Sequence, residues 1–167
     1  MLLRPATLTD LPQIIALERL PESRRYVGQW SEDHHARAMS GRNARYFVHE
    51  DETGRIHAYV LLLGFEEGHA SIEFKRFVVA QPGRGVGRRL LAEILRLVFE
   101  EIGAHRFFLD VVEDNLRARH LYKSAGFIEE GLLREATQRE GGWLSLVLMS
   151  LLDREYRDRA GQSLEDG

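Results

Sequence analysis

Apolar residues recur at two different intervals along this chain, and the switches between them divide it into elements. Leu11, Ile14, Ile15 and Leu17 fall at helical spacing, with Thr9 as a candidate N-cap and Pro12 in the first turn, where its missing N–H costs nothing. A short strand over residues 2–4 precedes this helix and Pro21 closes it. Ser31-Glu32-Asp33 is placed to cap a second short helix through about Met39, with its acidic residues at the positive end of the helix dipole. Residues 45–50, 56–65 and 70–79 then read as strands. The turn-type stretches Asp51-Glu52-Thr53-Gly54-Arg55 and Glu66-Glu67-Gly68 join them, which predicts an antiparallel meander.

The third of these strands changes phase. Its apolar residues are even-numbered at first (Ile72, Phe74) and odd-numbered afterwards (Phe77, Val79). One extra residue near Lys75-Arg76, a β-bulge, keeps all four on one face. The strand runs into Gly83, Gly85 and Gly87, after which Leu90, Leu91, Ile94, Leu97 and Val98 return to helical spacing as far as Ile102, before Gly103. A strand that turns into a helix through glycines aims several backbone N–H groups at one point, beside the positive end of the helix dipole, and that point can hold an anion. The turn lacks the Gly-Lys-Ser/Thr of a P-loop and the third glycine of a dinucleotide fingerprint.

The remaining third repeats the theme. Residues 106–112 alternate Phe107, Leu109 and Val111 with Phe108 and Val112, apolar on both faces as a central parallel strand would be. Asp114 or Asn115 caps a helix over residues 116–125, with Gly126 just beyond it. Residues 127–138 and 143–151 form a closing hairpin, and a charged tail follows Asp153. The order predicts one α+β domain over residues 1–152, with helices on both faces of a mostly antiparallel sheet and a parallel pair at its centre. Residues 153–167 are expected to be a loosely ordered tail. Ligands favour the carboxyl ends of such a parallel pair.

Composition narrows the function. The net charge of −3 gives no reason to expect nucleic acid or a membrane surface as partner, and the absence of cysteine excludes disulfides and a thiol nucleophile. No apolar run approaches the length of a membrane span and no signal-type segment opens the chain, so a cytoplasmic location is expected. The seven histidines show no metal-type spacing shared with carboxylates, and no metal is expected.

Two stretches together resemble the GNAT superfamily of N-acetyltransferases, which use acetyl-coenzyme A. VVAQPGRGVGRRLL is similar to the family's pyrophosphate loop, usually Arg/Gln-x-x-Gly-x-Gly/Ala. VVEDNLRARHLYKSAGF is similar to its strand–helix element ending in Leu-Tyr-x-x-x-Gly-Phe. One departure is Pro82, where the family has Arg or Gln, with Gln81 one position earlier. The resemblance implies a GNAT-like fold with a splayed parallel pair. It implies that Val78 and Val79 bond the pantetheine arm and that Gly83, Arg84, Gly85, Val86, Gly87 and Arg88 cradle the pyrophosphate. It also places Asn115 on the pantetheine and Tyr122 near the thioester sulfur, with Arg119 in reach of the nucleotide phosphates. The second half of the chain, with GLLRE and the GGW hairpin, looks similar to members related to ribosomal-protein N-terminal acetyltransferases.

The chemistry implied is acetyl transfer from acetyl-coenzyme A to a primary amine of a small molecule or a peptide N terminus. Tyr122 is the candidate acid and Glu73 the candidate base; Asp110 and Glu113 could contact an acceptor cation, with loop solvation and helix capping as their plainer roles. Packing is the plainer role for Tyr122, and an ion pair with Lys75 or Arg76 the plainer role for Glu73. The acceptor decides how much a base matters. A lysine-type amine near pKa 10.4 is on the order of 4–5 kcal/mol from neutral at pH 7, whereas an α-amine near 8 needs only about 1 kcal/mol. The acceptor pocket is expected at residues 26–30 and in the region after Gly131. The closing hairpin offers an edge that could pair in a homodimer. A non-catalytic acyl-coenzyme A-binding or regulatory module is the alternative, kept open by Pro82.

Overall fold

The structure is a computed structural model that describes residues 2–81, 83 and 85–165, with side chains as far as residue 161. Pro82 and Arg84 lie outside the described residues.

Seven strands form one sheet in the order β1-β2-β3-β4-β5-β7-β6: β1 Arg4–Pro5, β2 Ala44–Glu50, β3 Ile56–Leu63, β4 Ser71–Val79, β5 Arg106–Val112, β6 Ile128–Arg139 and β7 Gly142–Leu152. Among the described residues only β4 and β5 pair in parallel, and only from Ser71 to Glu73 against Arg106 to Phe108. The expected meander is β2–β3–β4. The bulge is also present: Arg76 lies opposite Leu61 and Phe74 opposite Leu62, so Lys75 is the extra residue. Ile72, Phe74, Phe77 and Val79 consequently all belong to one core, while Val78 belongs to the core on the opposite face. The parallel pairing stops two residues before Lys75, as a bulge that bends its strand away from a neighbour requires.

The helices cover both faces. On one side lie α1 (Leu11–Glu18), α2 (Pro21–Arg24) and α3 (Glu32–Ser40). On the other are α4 (Val86–Arg96), which continues into a π-helical turn over Leu97–Glu101, α5 (Leu116–Ser124) and α6 (Asp153–Glu165). Entry to α1 runs through a capping box between Thr7 and Asp10, two residues ahead of the expected cap at Thr9. Pro21 opens α2 at its first position and does not merely close α1, because its fixed φ and missing N–H suit a first turn. Where sequence predicts a loosely ordered tail, α6 is present. The Tyr156 ring stacks on Phe99 at 4.9 Å, and its hydroxyl donates to Glu100 at 2.5 Å, an anchor that the tail's charge conceals.

The outer face of β5 differs from expectation in one respect. Phe107, Leu109 and Val111 are buried against α4, but on the other face Asp110 opens into a cleft. Across this cleft the segment after α2 is tied down by ion pairs from Arg24 to Glu140 (2.9 Å) and from Arg25 to Asp114.

Candidate active site

Two chambers meet where β4 and β5 part. The first, about 330 Å³, runs from the glycine turn along Val78 and Val79 to Tyr122, and α5 contributes Asn115, Arg117, His120 and Leu121 to its wall. The second, about 370 Å³, lies between the segment 26–30 and the strands β4, β5 and β6. Phe77, Asn115, Ala118 and Tyr122 line both, so a molecule in one would touch a molecule in the other.

The glycine turn has the backbone geometry that an anion site requires. Gly83 and Gly85 have φ of +115° and +73°, a region that side chains disfavour. Gly85 is the N-cap of α4, and the first bond inside the helix is from the Arg89 N–H to the Gly85 carbonyl at 3.1 Å. The N–H groups of Gly87 and Arg88 precede that bond and point out of the helix end. A Cβ at Gly83 or Gly85 would touch nothing within 4 Å, so the space is open for a ligand. Gly85→Ala is therefore expected to fold with about 1 kcal/mol of backbone strain and to weaken coenzyme A roughly tenfold in a calorimetric titration.

Beside this turn, β4 has no strand partner on its β5 side beyond Glu73 among the described residues, leaving the edge at Val78–Val79 accessible from the first chamber. Asn115 caps α5, its side-chain oxygen accepting from the Ala118 N–H at 3.2 Å. Arg88 lines the chamber, as does Gly87, and Val86 packs against the core. Arg119 turns away: its guanidinium donates to Glu129 at 2.8 Å and to the Glu113 carbonyl at 2.8 Å. Arg117 and His120, which spacing alone did not single out, are the basic residues of α5 that face the groove.

Tyr122 is buried, its ring edge-on to Phe74 at 6.0 Å and tilted against Phe127 at 5.6 Å. Burial pushes its phenol well above the ordinary value. Glu73 is half-buried and paired with Lys75 at 3.0 Å; Lys75 lines the second chamber, whereas Glu73 does not. Asp110 is the carboxylate that does. Desolvation by the cleft walls raises its pKa, opposed by Lys75 and Arg139 and reinforced by Glu73.

Beneath the second chamber lies a buried polar network. Glu18 accepts from Arg76 Nη1 at 2.6 Å and from the Tyr59 hydroxyl, and meets His35 Nε2 at 3.2 Å. His35 Nδ1 lies 3.0 Å from the Tyr46 hydroxyl, so the tautomer that satisfies both contacts donates from Nε2 and accepts at Nδ1. Burial pushes the Glu18 carboxyl up, but the bond to His35, the Arg76 charge and the bond to Tyr59 prevail and hold it below the usual carboxylate range. Among the described residues no three His, Asp or Glu side chains gather as a metal would require.

Comparison with known proteins decides what this arrangement is. The model of the acetyltransferase (GNAT) family matches residues 11–127. The chain belongs to the GNAT family of acetyltransferases. It is 32% identical over 117 residues to the spermidine N(1)-acetyltransferase of Vibrio cholerae, covering 70% of this chain and 68% of that protein. The crystal structure of the Vibrio cholerae spermidine N-acetyltransferase in complex with CoA and spermine superposes with a TM-score of 0.81 at 28% identity, over 92% of this chain and 96% of that one. A second structure of the Vibrio cholerae spermidine/spermine enzyme, with manganese ions, gives 0.79 at 28% identity over 94% and 95%. This GNAT chain is thus an N-acetyltransferase that uses acetyl-coenzyme A. No helix among its described residues is long and apolar enough to cross a membrane.

Proposed function

We propose that this enzyme acetylates the primary amine of a small molecule by direct transfer between the two chambers. The supporting observation is Tyr122, whose ring forms a wall of both. Acetyl-coenzyme A, when bound, supplies an activated thioester. The glycine-turn amides with Arg88 and Arg117 hold its phosphates, the Val78–Val79 edge aligns its arm, and a main-chain N–H beside the bulge polarises the thioester carbonyl. The phenol of Tyr122 donates the proton that the departing sulfur needs. The burial that raises the phenol also raises the proton affinity of a thiolate next to it, so the transfer stays balanced.

Proton removal from the acceptor falls to the carboxylates of Asp110 and Glu73. Asp110 opens into the chamber, and Glu73 stands behind it, opposite Phe108 in the β4–β5 ladder. Asp110→Asn is expected to lower kcat/KM about a hundredfold at pH 7, and Glu73→Gln by less. Full activity of both variants would move the step to water.

The roof of residues 26–30 and its ion pairs favour a small acceptor over the N terminus of a folded protein. The named substrates of the relatives place polyamines in the first screen. Lys75, Arg76 and Arg139 against the lone carboxylate of Asp110 point to a different member of the small-amine class. A homodimer through the free edge of β6, where Leu132 and Leu133 are exposed, is the accompanying assembly proposal, tested by light scattering. The deciding experiment is release of free thiol from acetyl-coenzyme A across an amine library. No release with any amine, despite calorimetric binding of coenzyme A, would remove the proposal.

A further inference from the structure

We propose that the acceptor carries a carboxylate as well as its amine, and that Arg139, backed by Arg76, binds that carboxylate. This deepens the acetyltransferase reading above and rests on it.

Arg76 comes from the bulge in β4 and is buried. Its Nη1 goes to Glu18, it also reaches the Tyr59 hydroxyl, and its guanidinium carbon lies 4.3 Å from the Trp30 ring centroid. Arg139 reaches in from the end of β6. Its Nη1 donates to Thr137 Oγ1 at 2.5 Å and to the Gln138 carbonyl at 3.0 Å, both uncharged, and its Nε is buried with no partner among the described residues. No carboxylate forms an ion pair with Arg139 among the described residues. The two guanidinium groups converge on Gly28, where an added Cβ would lie 3.0 Å from Nη2 of Arg76 and 3.4 Å from Nη2 of Arg139.

Two like charges brought this close in a desolvated cleft repel, and burial together with the Arg76 charge holds the Arg139 pKa down. Arginine does not relieve such repulsion by losing its proton. Glu18 neutralises one cation, and the other has only the more distant charge of Asp110 to oppose it. A bound anion completes the arrangement, and a carboxylate matches the planar fork of a guanidinium with two parallel hydrogen bonds. The missing side chain at Gly28 lets both guanidinium groups approach the backbone this closely. Across the chamber Asp110 forms no hydrogen bond or ion pair among the described residues, so an anion subsite faces a site for an ammonium group. That pairing fits an amino acid or a similar zwitterionic amine. A polyamine would bring its several positive charges against Arg139 and Arg76 with Asp110 alone to offset them.

The test measures kcat/KM by thiol release for an α-amino acid, its amide, the amine left by decarboxylation, an aminoalkyl phosphate and spermidine. Each is assayed with the wild-type enzyme, Arg139→Gln and Arg139→Lys. The acid is expected to exceed its amide by roughly 10- to 100-fold, although the amide's amine is the more often neutral. Arg139→Gln should bring that ratio within about threefold, with Arg139→Lys intermediate. An unchanged unfolding temperature and coenzyme A affinity would show that the variant is folded. Gly28→Ala, whose Cβ would crowd both guanidinium groups out of their present places, should lower the same ratio if Arg139→Gln fails to fold. The inference is overturned if the amide, the decarboxylated amine, the phosphate or spermidine equals the acid, or if the ratio survives in a folded Arg139→Gln protein. Thiol release with no amine at all would instead overturn the acetyltransferase reading, and the inference with it.

Discussion

Tyr122→Phe is expected to lower kcat about a hundredfold at neutral pH while the KM for acetyl-coenzyme A stays within about twofold. The ring is held by Phe74 and Phe127, and its hydroxyl has no hydrogen-bond partner among the described residues. Phenylalanine therefore keeps the packing and removes only the hydroxyl proposed to donate the proton, and stability should change by less than about 0.5 kcal/mol. Steady-state kinetics with a denaturation control separates these effects. The pH profile adds a second check. Because burial raises the phenol, the wild-type kcat should show no fall from this group as pH rises through the ordinary phenol range near 10. Undiminished turnover of Tyr122→Phe with intact cofactor affinity would end the assignment.

Glu18→Ala should cost about 3–5 kcal/mol of folding stability, because it leaves Arg76 buried without its counter-charge and strips a partner from Tyr59 and His35. Chemical denaturation measures it. Replacing both members, with Glu18→Leu and Arg76→Met together, should recover much of the loss, since the desolvation of two ions is removed along with their attraction. The pH dependence follows from the sign of the shift. The carboxyl is lower in the folded protein than in the unfolded chain, so its contribution is complete above the unfolded value near 4.3 and disappears as pH falls through the folded value. Glu18→Ala should therefore narrow its gap to wild type in acid. A gap that is constant from pH 7 to pH 3 would show that the carboxylate charge is not what stabilises this core.

Most of the frame was legible because it depends on local spacing. The phase change between Phe74 and Phe77 located the bulge within a residue, and the glycines beyond β4 marked the turn into α4. What remained hidden depends on partners distant in sequence. Arg119 shares a helix side with Asn115 and Tyr122 by spacing, yet Glu129 on β6 draws it away, and helical geometry contains no such information. His35 sits beside His34 in sequence, but one is sealed against Glu18 while the other stacks on Trp30 at 3.9 Å. One signal was present for Glu18, which continues the apolar stripe of Leu11, Ile14 and Ile15 at the next helical turn. A carboxylate on such a stripe calls for a buried cation. Arg139 had no comparable signal, because β6 reaches the cleft only after two register shifts.

The irregularity at Lys75 has an uncommon genetic property. Removing that single residue would leave Ile72, Phe74, Phe77 and Val79 in unbroken alternation, so each would keep its present side of the sheet. What would vanish is the bend that turns β4 from β5. One in-frame deletion therefore divides two properties that most lesions damage together: the hydrophobic interior would persist, while the crevice that admits the acyl carrier would zip shut.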